Sequence, residues 1–312
     1  MTEMDKYVDP ALWPLVEAFP PIDVSAETLP GFRAAMVELS VRPDPSTHTD
    51  VRIEEVRVPA ANTAAIRCLL FKPARPAPAG ALLHIHGGGF VMGSPEMDLA
   101  RNIELVRATG CAILSVDYRL APEHPHPAGL EDCHTALAWL TRQAGAMKIA
   151  SGRIGVIGES AGGGLAAGLA LLARGSPVSL ACQALIYPML MPPGQSIDTV
   201  APDPRTGRFI WTRGSNGYCW SAYAGEATMD PGTIAGLATD LTGLPPTFVA
   251  VGELDLFVHD DLAYVNRLLS AGCPVEAHLY PGAIHGFDRM VEAAVSQRYS
   301  RDLVAFLLRH LG

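Results

Sequence analysis

Polar and apolar residues nearly alternate along VRIEEVRVPA (51–60), which predicts a strand with one wetted face, and AAIRCLLFKP (64–73) follows as its pairing partner. The alternation then stops. GALLHIHG, CAILSVDY, GRIGVIGE, LACQALIYP, PTFVAVGE and PVEAHLYP are mostly apolar on both faces, as strands are when helices cover both sides of their sheet. Helical periodicity fills the intervals at 97–110, 129–145, 161–175 and 259–272, and again in the closing VEAAVSQRYSRDLVAFLLRHL. This order predicts an α/β fold with a mostly parallel sheet of about eight strands, flanked by helices.

Two segments break the rhythm. Residues 1–45, with Trp13, Phe19 and Phe32, precede the first strand, and residues 188–242, with FIWTRGSNGYCWSAYAG, separate two others. Connections of that length are more often functional elaborations than plain loop. The expected division is a cap built from 1–45 and 188–242 and a catalytic domain built from 46–187 and 243–312. A surface embellishment without a role is the alternative.

Composition narrows the class. The 312 residues are 49% hydrophobic, ample for a large core. The net charge of −9 and the absence of a basic stripe argue against nucleic acid as a partner. Cys68, Cys111, Cys133, Cys182, Cys219 and Cys273 are scattered without a CxxC pair, so neither a disulfide framework nor a zinc site is expected. The first residues carry charge and proline where a leader would need an apolar run, and AAGLALLA (166–173) is too short to span a bilayer. The reading is a cytoplasmic protein with no stable membrane insertion.

Chemistry concentrates in VIGESAGGG (156–164), a G-x-S-x-G sequence between a candidate strand and a candidate helix. In that setting it predicts a sharp turn that lifts Ser160 above the sheet edge, with Gly158 and Gly162 keeping the turn free of side chains. A serine nucleophile needs a base, and the oxyanion it creates needs donors. HIHGGGF (84–90) can supply donors: the bare backbone at Gly88 and Gly89, joined by the N–H of Ala161, predicts an oxyanion hole. Phe90 would wall the site. VAVGELDLFVHDD (249–261) puts acids at the end of another strand. Asp255 is the best placed of them and Glu253 its rival, while Asp260 and Asp261 suit the first turn of a helix. HLYPGAIHGF (278–287) offers His285 in a glycine-flanked loop, whereas His278 lies within a strand. His285 would take the proton of Ser160 and Asp255 would fix its tautomer.

With these residues in view, the chain from about residue 50 onward resembles the hormone-sensitive-lipase-like, or bacterial family IV, esterases. The likeness rests on HGGG (86–89), DYRLAPEHPHPA (117–128), GESAGG (158–163), the GELD segment and YPGAIHGF, all in the family's order. The resemblance implies an α/β-hydrolase fold with a helical cap and hydrolysis of short- or medium-chain carboxylic esters without metal or organic cofactor. It implies Ser160, Asp255 and His285 as the triad, Gly88, Gly89 and Ala161 as oxyanion donors, and His86 as a brace for the glycine loop. Arg119 and Glu123 become scaffold. Leu256 departs from the family, which often has proline after the catalytic aspartate.

Phe90, Trp211, Leu256 and Ile284 are the substrate-binding candidates, and Tyr218, Trp220 and Tyr223 join Trp211 as aromatic residues of the cap. The expected partner is a small-molecule ester, and PVEAHLYP with the last helix offers an edge for a homodimer. Competing readings are a ligand receptor that has kept the pocket without the chemistry, and a hydrolase of amides, carbamates or lactones. Metal chemistry at the His84/His86 and His124/His126 pairs lacks an accompanying acidic cluster in the sequence.

Overall fold

In the computed structural model, which describes residues 5–19, 23–39, 48–61, 63–75, 79–150, 152–176, 178–195, 203–226 and 229–312, the candidate strands form one eight-stranded sheet. They are β1 (Val51–Val58), β2 (Ile66–Pro73), β3 (Ala81–Ile85), β4 (Ala112–Val116), β5 (Ile154–Glu159), β6 (Cys182–Ile186), β7 (Thr247–Gly252) and β8 (Val275–Tyr280). Their spatial order is β1-β2-β4-β3-β5-β6-β7-β8. β2 pairs antiparallel with both β1 and β4, and every other pairing is parallel.

Position in the sheet explains the patterning of each strand. Every residue of β3 through β7 is buried, as expected where helices lie on both faces. β1, at one edge, buries only Val51 and Val58, and β8, at the other, buries only Tyr280. Two apolar layers sandwich the sheet. α4 (Ala128–Gln143), α5 (Ala161–Ala173) and α7 (Val258–Ser270) contribute Leu137, Leu165 and Leu268 to the layer that also takes Leu83 and Ile85. On the other face, α3 (Leu99–Thr109) and α8 (Ala294–Leu311) pack Ile103 and Phe306 against Leu82 and Phe248. Neighbours Leu82 and Leu83 thus go to opposite layers, the period of two made visible. All six cysteines are free and buried, behaving as small apolar side chains.

Of the two segments that break the strand–helix rhythm, 1–4, 20–22, 40–45, 196–202 and 227–228 lie outside the described residues. The rest contain α1 (Trp13–Ala18), α2 (Leu29–Leu39) and α6 (Arg213–Ala224). The two segments touch: Val24 N–H donates to Ser215 Oγ at 2.9 Å, Thr212 Oγ1 donates to Asp23, and Trp13 meets Phe209 edge-on. Among the described residues no helix is long and apolar enough to cross a membrane.

The strand order turns at β3, which lies between β4 and β5. Connections from β3 and β5 therefore leave in opposite directions and open a crevice at the carboxyl ends of the strands. The glycine run follows β3, Ser160 follows β5, Asp255 follows β7 and His285 follows β8. Sheet topology alone brings four distant segments to one edge.

Candidate active site

Ser160 sits between the last residue of β5 and the first of α5 with φ 55° and ψ −120°, a backbone conformation that side chains other than glycine rarely adopt. It is held there by a hydrogen bond from its own N–H to Ile186 O at 2.9 Å. The flanking glycines are required by space. A Cβ on Gly158 would lie 2.2 Å from Gly162 O, and one on Gly162 would lie 1.9 Å from Ile85 O. With no side chain at either place, α5 can start directly against β3 and β5.

His285 Nε2 lies 3.0 Å from Ser160 Oγ, and its Nδ1 lies 2.8 Å from Asp255 Oδ2. The other carboxylate oxygen, Oδ1, accepts from Phe257 N–H at 3.0 Å. A carboxylate offers only acceptors, so Nδ1 carries the ring proton and Nε2 presents a lone pair to the serine hydroxyl. Asp255 is fully buried, and Ser160 and His285 are 5% and 7% exposed. Tyr187, Phe257 and Trp211 surround the imidazole at ring-centroid distances of 4.6, 5.4 and 6.0 Å.

Glu253, the rival acid, is engaged elsewhere: Arg205 donates to Oε1 at 2.8 Å and Gly282 N–H to Oε2 at 3.2 Å. Asp261 stands in the first turn of α7, as its sequence position suggests, but not as an exposed acid. It is fully buried in α7, and among the described residues neither of its oxygens has a hydrogen-bond partner. Burial, reinforced by the charges of Asp255 and Asp260, pushes its carboxyl well above the usual range. A folded pKa above the unfolded one favours the folded state at low pH, and that contribution is lost as pH rises toward the folded value. Asp261→Asn should therefore raise Tm at pH 8, by roughly 2–4 °C for each kcal/mol recovered. The gain should shrink at pH 3, where the unfolded carboxyl is itself largely protonated. Calorimetry at the two pH values checks this, and equal gains at both would contradict it.

The glycine run is bare where space is short: a Cβ on Gly88 would lie 2.1 Å from Met92 O. Gly88 and Gly89 adopt φ of 116° and 61°, and Gly88 O accepts from both Val91 N–H and Met92 N–H at 3.1 Å. Among the described residues, the N–H groups of Gly88, Gly89 and Ala161 donate to no backbone carbonyl outside helices and strands. A Cβ on Gly89 would lie 2.5 Å from the Trp211 ring and 2.9 Å from Cys219 Sγ. His86 is fully buried; its Nδ1–H donates to Gly87 O at 2.8 Å and its ring stacks on Tyr118 at 4.3 Å. Burial holds this imidazole below its ordinary pKa, so it is a neutral prop under the loop.

The scaffold residues are paired. Arg119 binds Asp132 through two nitrogens, and Glu123 accepts both arms of Arg33, whose Nε donates to Val91 O at 2.8 Å. Of the histidine pairs, His126 lies between Tyr223 Oη and Thr233 Oγ1, each at 3.1 Å. His84 bonds Ser115 Oγ at 2.7 Å and Glu159 Oε2 at 3.1 Å. His84, Asp98 and Glu159 do stand at the mutual separations of metal ligands, but the guanidinium of Arg101 already lies among them, 2.5 Å from Glu159 Oε1.

The four substrate-binding candidates do not all converge. Phe90, with φ 67°, stacks on Tyr223 at 4.0 Å and meets Trp220 at 5.1 Å, and Trp211 lies over Gly89. Leu256 is partly buried in the same apolar layer. Ile284 is fully buried in the opposite layer, with Leu12, Tyr280 and Phe287. The sequence reading misses Arg101, Asp288 and Tyr187 around Glu159. The only clue was Glu159 itself, a carboxylate at the end of an apolar strand that could be buried only beside a cation.

A profile described as the alpha/beta hydrolase fold matches residues 82–289. Carboxylesterase NlhH of Mycobacterium tuberculosis is 33% identical over 309 residues, covering 96% of this chain and 95% of that one. Esterase LipI of the same organism is 32% identical, covering 96% and 94%. Among solved structures, a bacterial heroin esterase superposes with a TM-score of 0.88 at 33% identity, covering 98% and 99% of the two chains. The esterase LipW of Mycobacterium marinum superposes with 0.86 at 33% identity, covering 99% and 97%.

Proposed function

The chain belongs to the alpha/beta hydrolase-fold family, in its hormone-sensitive-lipase-like branch, and is a carboxylic ester hydrolase; from this we propose a two-step acyl transfer through Ser160, with short- to medium-chain esters as substrates. Ser160 Oγ attacks the ester carbonyl while its proton passes to His285 Nε2. The new oxyanion accepts from the N–H groups of Gly88, Gly89 and Ala161. His285 then returns the proton to the alcohol oxygen as the C–O bond breaks. Water enters, gives a proton to the same nitrogen and attacks the acyl carbon. Collapse returns that proton to Ser160 Oγ and releases the carboxylic acid.

The observation that carries this reading is the unbroken hydrogen-bonded chain from Ser160 Oγ through His285 to Asp255, at 3.0 and 2.8 Å. A receptor that had lost the chemistry would have no need to keep it. In the same proposal the segments 1–45 and 188–242 form a cap over the remaining 46–187 and 243–312. The edge of β8 is left for pairing with a second copy, in a cytoplasmic enzyme of small-molecule esters.

Chain length follows from the aromatic wall. Trp211 reaches within contact of Gly89 and of the His285 ring, so a long acyl chain has to displace it. Across p-nitrophenyl esters from acetate to dodecanoate, kcat/KM should peak at or below hexanoate and fall by roughly tenfold or more at dodecanoate. Trp211→Ala should raise kcat/KM for the decanoate by about tenfold while leaving the acetate nearly unchanged. A wild-type optimum at dodecanoate would overturn the chain-length assignment, and no turnover of any ester would overturn the function.

A further inference from the structure

Behind the reacting residues lies a buried ionic cluster that the acyl-transfer steps do not use. Asp98, Glu159 and Asp288 contribute three carboxylates, each buried, and Arg101 and Arg289 contribute the opposing guanidinium groups. Desolvating so many charges is unfavourable unless the geometry is closely satisfied. Structural stability alone would be as well served by apolar residues, so the placement of the cluster asks for another reason.

The residues that hold the carboxylates suggest one. Glu159 immediately precedes Ser160. Asp288 follows His285 by three residues. Arg101, from α3, spans the two: Nη1 lies 2.5 Å from Glu159 Oε1 and Nη2 donates to Asp288 Oδ2. Asp288 Oδ1 accepts from Tyr187 Oη–H at 2.6 Å, and the Tyr187 ring lies against the imidazole of His285 at 4.6 Å. Starting at Ser160, the contacts run through Glu159, Arg101, Asp288 and Tyr187 to His285, and the bond from His285 back to Ser160 closes the circuit.

We infer that Arg101 is a positioning residue for ester hydrolysis: its two-armed guanidinium ties the segment carrying Ser160 to the segment carrying His285. It touches no reacting atom. The nucleophile and the base come from the ends of β5 and from beyond β8, with β6 and β7 between them. Their 3.0 Å separation therefore depends on loops, which sheet hydrogen bonds do not hold in register. A planar fork is suited to fixing two carboxylates at once, whereas a lysine ammonium is a single point of charge. Although burial opposes its charge, Glu159 is held down to about 2 by Arg101 and His84, so its carboxylate is ionised and available to the fork throughout the working range.

The inference rests on the assignment of Ser160 and His285, and the test separates the two. Arg101→Lys keeps the buried positive charge, and with it the fold, but cannot span both carboxylates. Its Tm should stay near that of the wild type while kcat for p-nitrophenyl butyrate falls by at least about tenfold with KM within threefold, the pattern of misplaced reacting groups rather than weakened binding. Tyr187→Phe, which removes only the hydrogen bond from Tyr187 Oη–H to Asp288 Oδ1 and so cuts the path from the Arg101 fork to His285, should lower kcat by roughly fivefold with KM unchanged. This second variant decides the matter if Arg101→Lys does not fold. Folded Arg101→Lys with kcat within twofold of wild type, or Tyr187→Phe with full kcat where the lysine variant is unstable, would overturn the inference. Either result beside an inactive Ser160→Ala would leave the nucleophile assignment standing. An active Ser160→Ala would bring down that assignment instead.

Discussion

Ser160→Ala should lower kcat for p-nitrophenyl butyrate by about 10⁵–10⁶-fold while the protein stays folded. The size follows from what is removed. Ser160 Oγ is the hydroxyl that faces the His285 lone pair, at 3.0 Å. Without it the acyl group has no covalent acceptor. Water delivered by His285 beside the oxyanion donors can retain roughly 10³–10⁴-fold catalysis over solution, which sets the floor. Folding should survive because the substitution deletes one oxygen and leaves the backbone as it was. The hydrogen bond from Ser160 N–H to Ile186 O and the start of α5 do not involve the side chain. The φ of 55° is no worse for alanine than for serine. A melting curve beside the steady-state assay checks both halves. Near-wild-type turnover in a purified, folded variant would remove Ser160 from the reaction.

What could be read in the sequence, and what could not, divides along a physical line. Strand and helix positions along the chain were legible because burial on both faces leaves continuous apolar runs, and β3 through β7 are buried in full. The elbow was legible because Gly158 and Gly162 are forced by contacts at 2.2 and 1.9 Å, and a steric demand of that kind leaves a mark in the residue type. Asp255 could be preferred to Glu253 only by position along the chain. In the structure Glu253 is spoken for by Arg205 and Gly282, a contact across segments that no local pattern announces. Asp261 shows the same limit from the other side. Its place in the first turn of α7 suits an exposed acid, and only the packing of that turn against the core makes it buried and unpaired. Arg101 and Asp288 were invisible for a related reason: an arginine in an amphipathic helix and an aspartate after a histidine are ordinary until the fold brings both to Glu159. Ile284 shows that adjacency to a reacting residue in sequence does not decide which layer receives a side chain.

Asp255→Asn should reduce kcat by about 10⁴-fold, with the protein as stable as the wild type or more so. The argument turns on how an amide would sit in this site. Phe257 N–H donates to Asp255 Oδ1 at 3.0 Å, so an asparagine would keep its carbonyl oxygen there. Its NH₂ group would then occupy the position of Oδ2, 2.8 Å from His285 Nδ1. A donor at that place requires Nδ1 to accept, which moves the ring proton to Nε2 and turns an N–H toward Ser160. The base would then have no lone pair for the serine proton, and the imidazolium would lose its counter-charge. Stability should not suffer, because Asp255 is fully buried and neutralising it also removes a charge that presses on the unpaired Asp261. Glu253→Gln is the matched control and should leave kcat within about threefold, since its carboxylate serves Arg205 and Gly282 rather than the imidazole. If the glutamine variant is the more damaged of the two under the same assay, the acid of the triad has been assigned to the wrong residue.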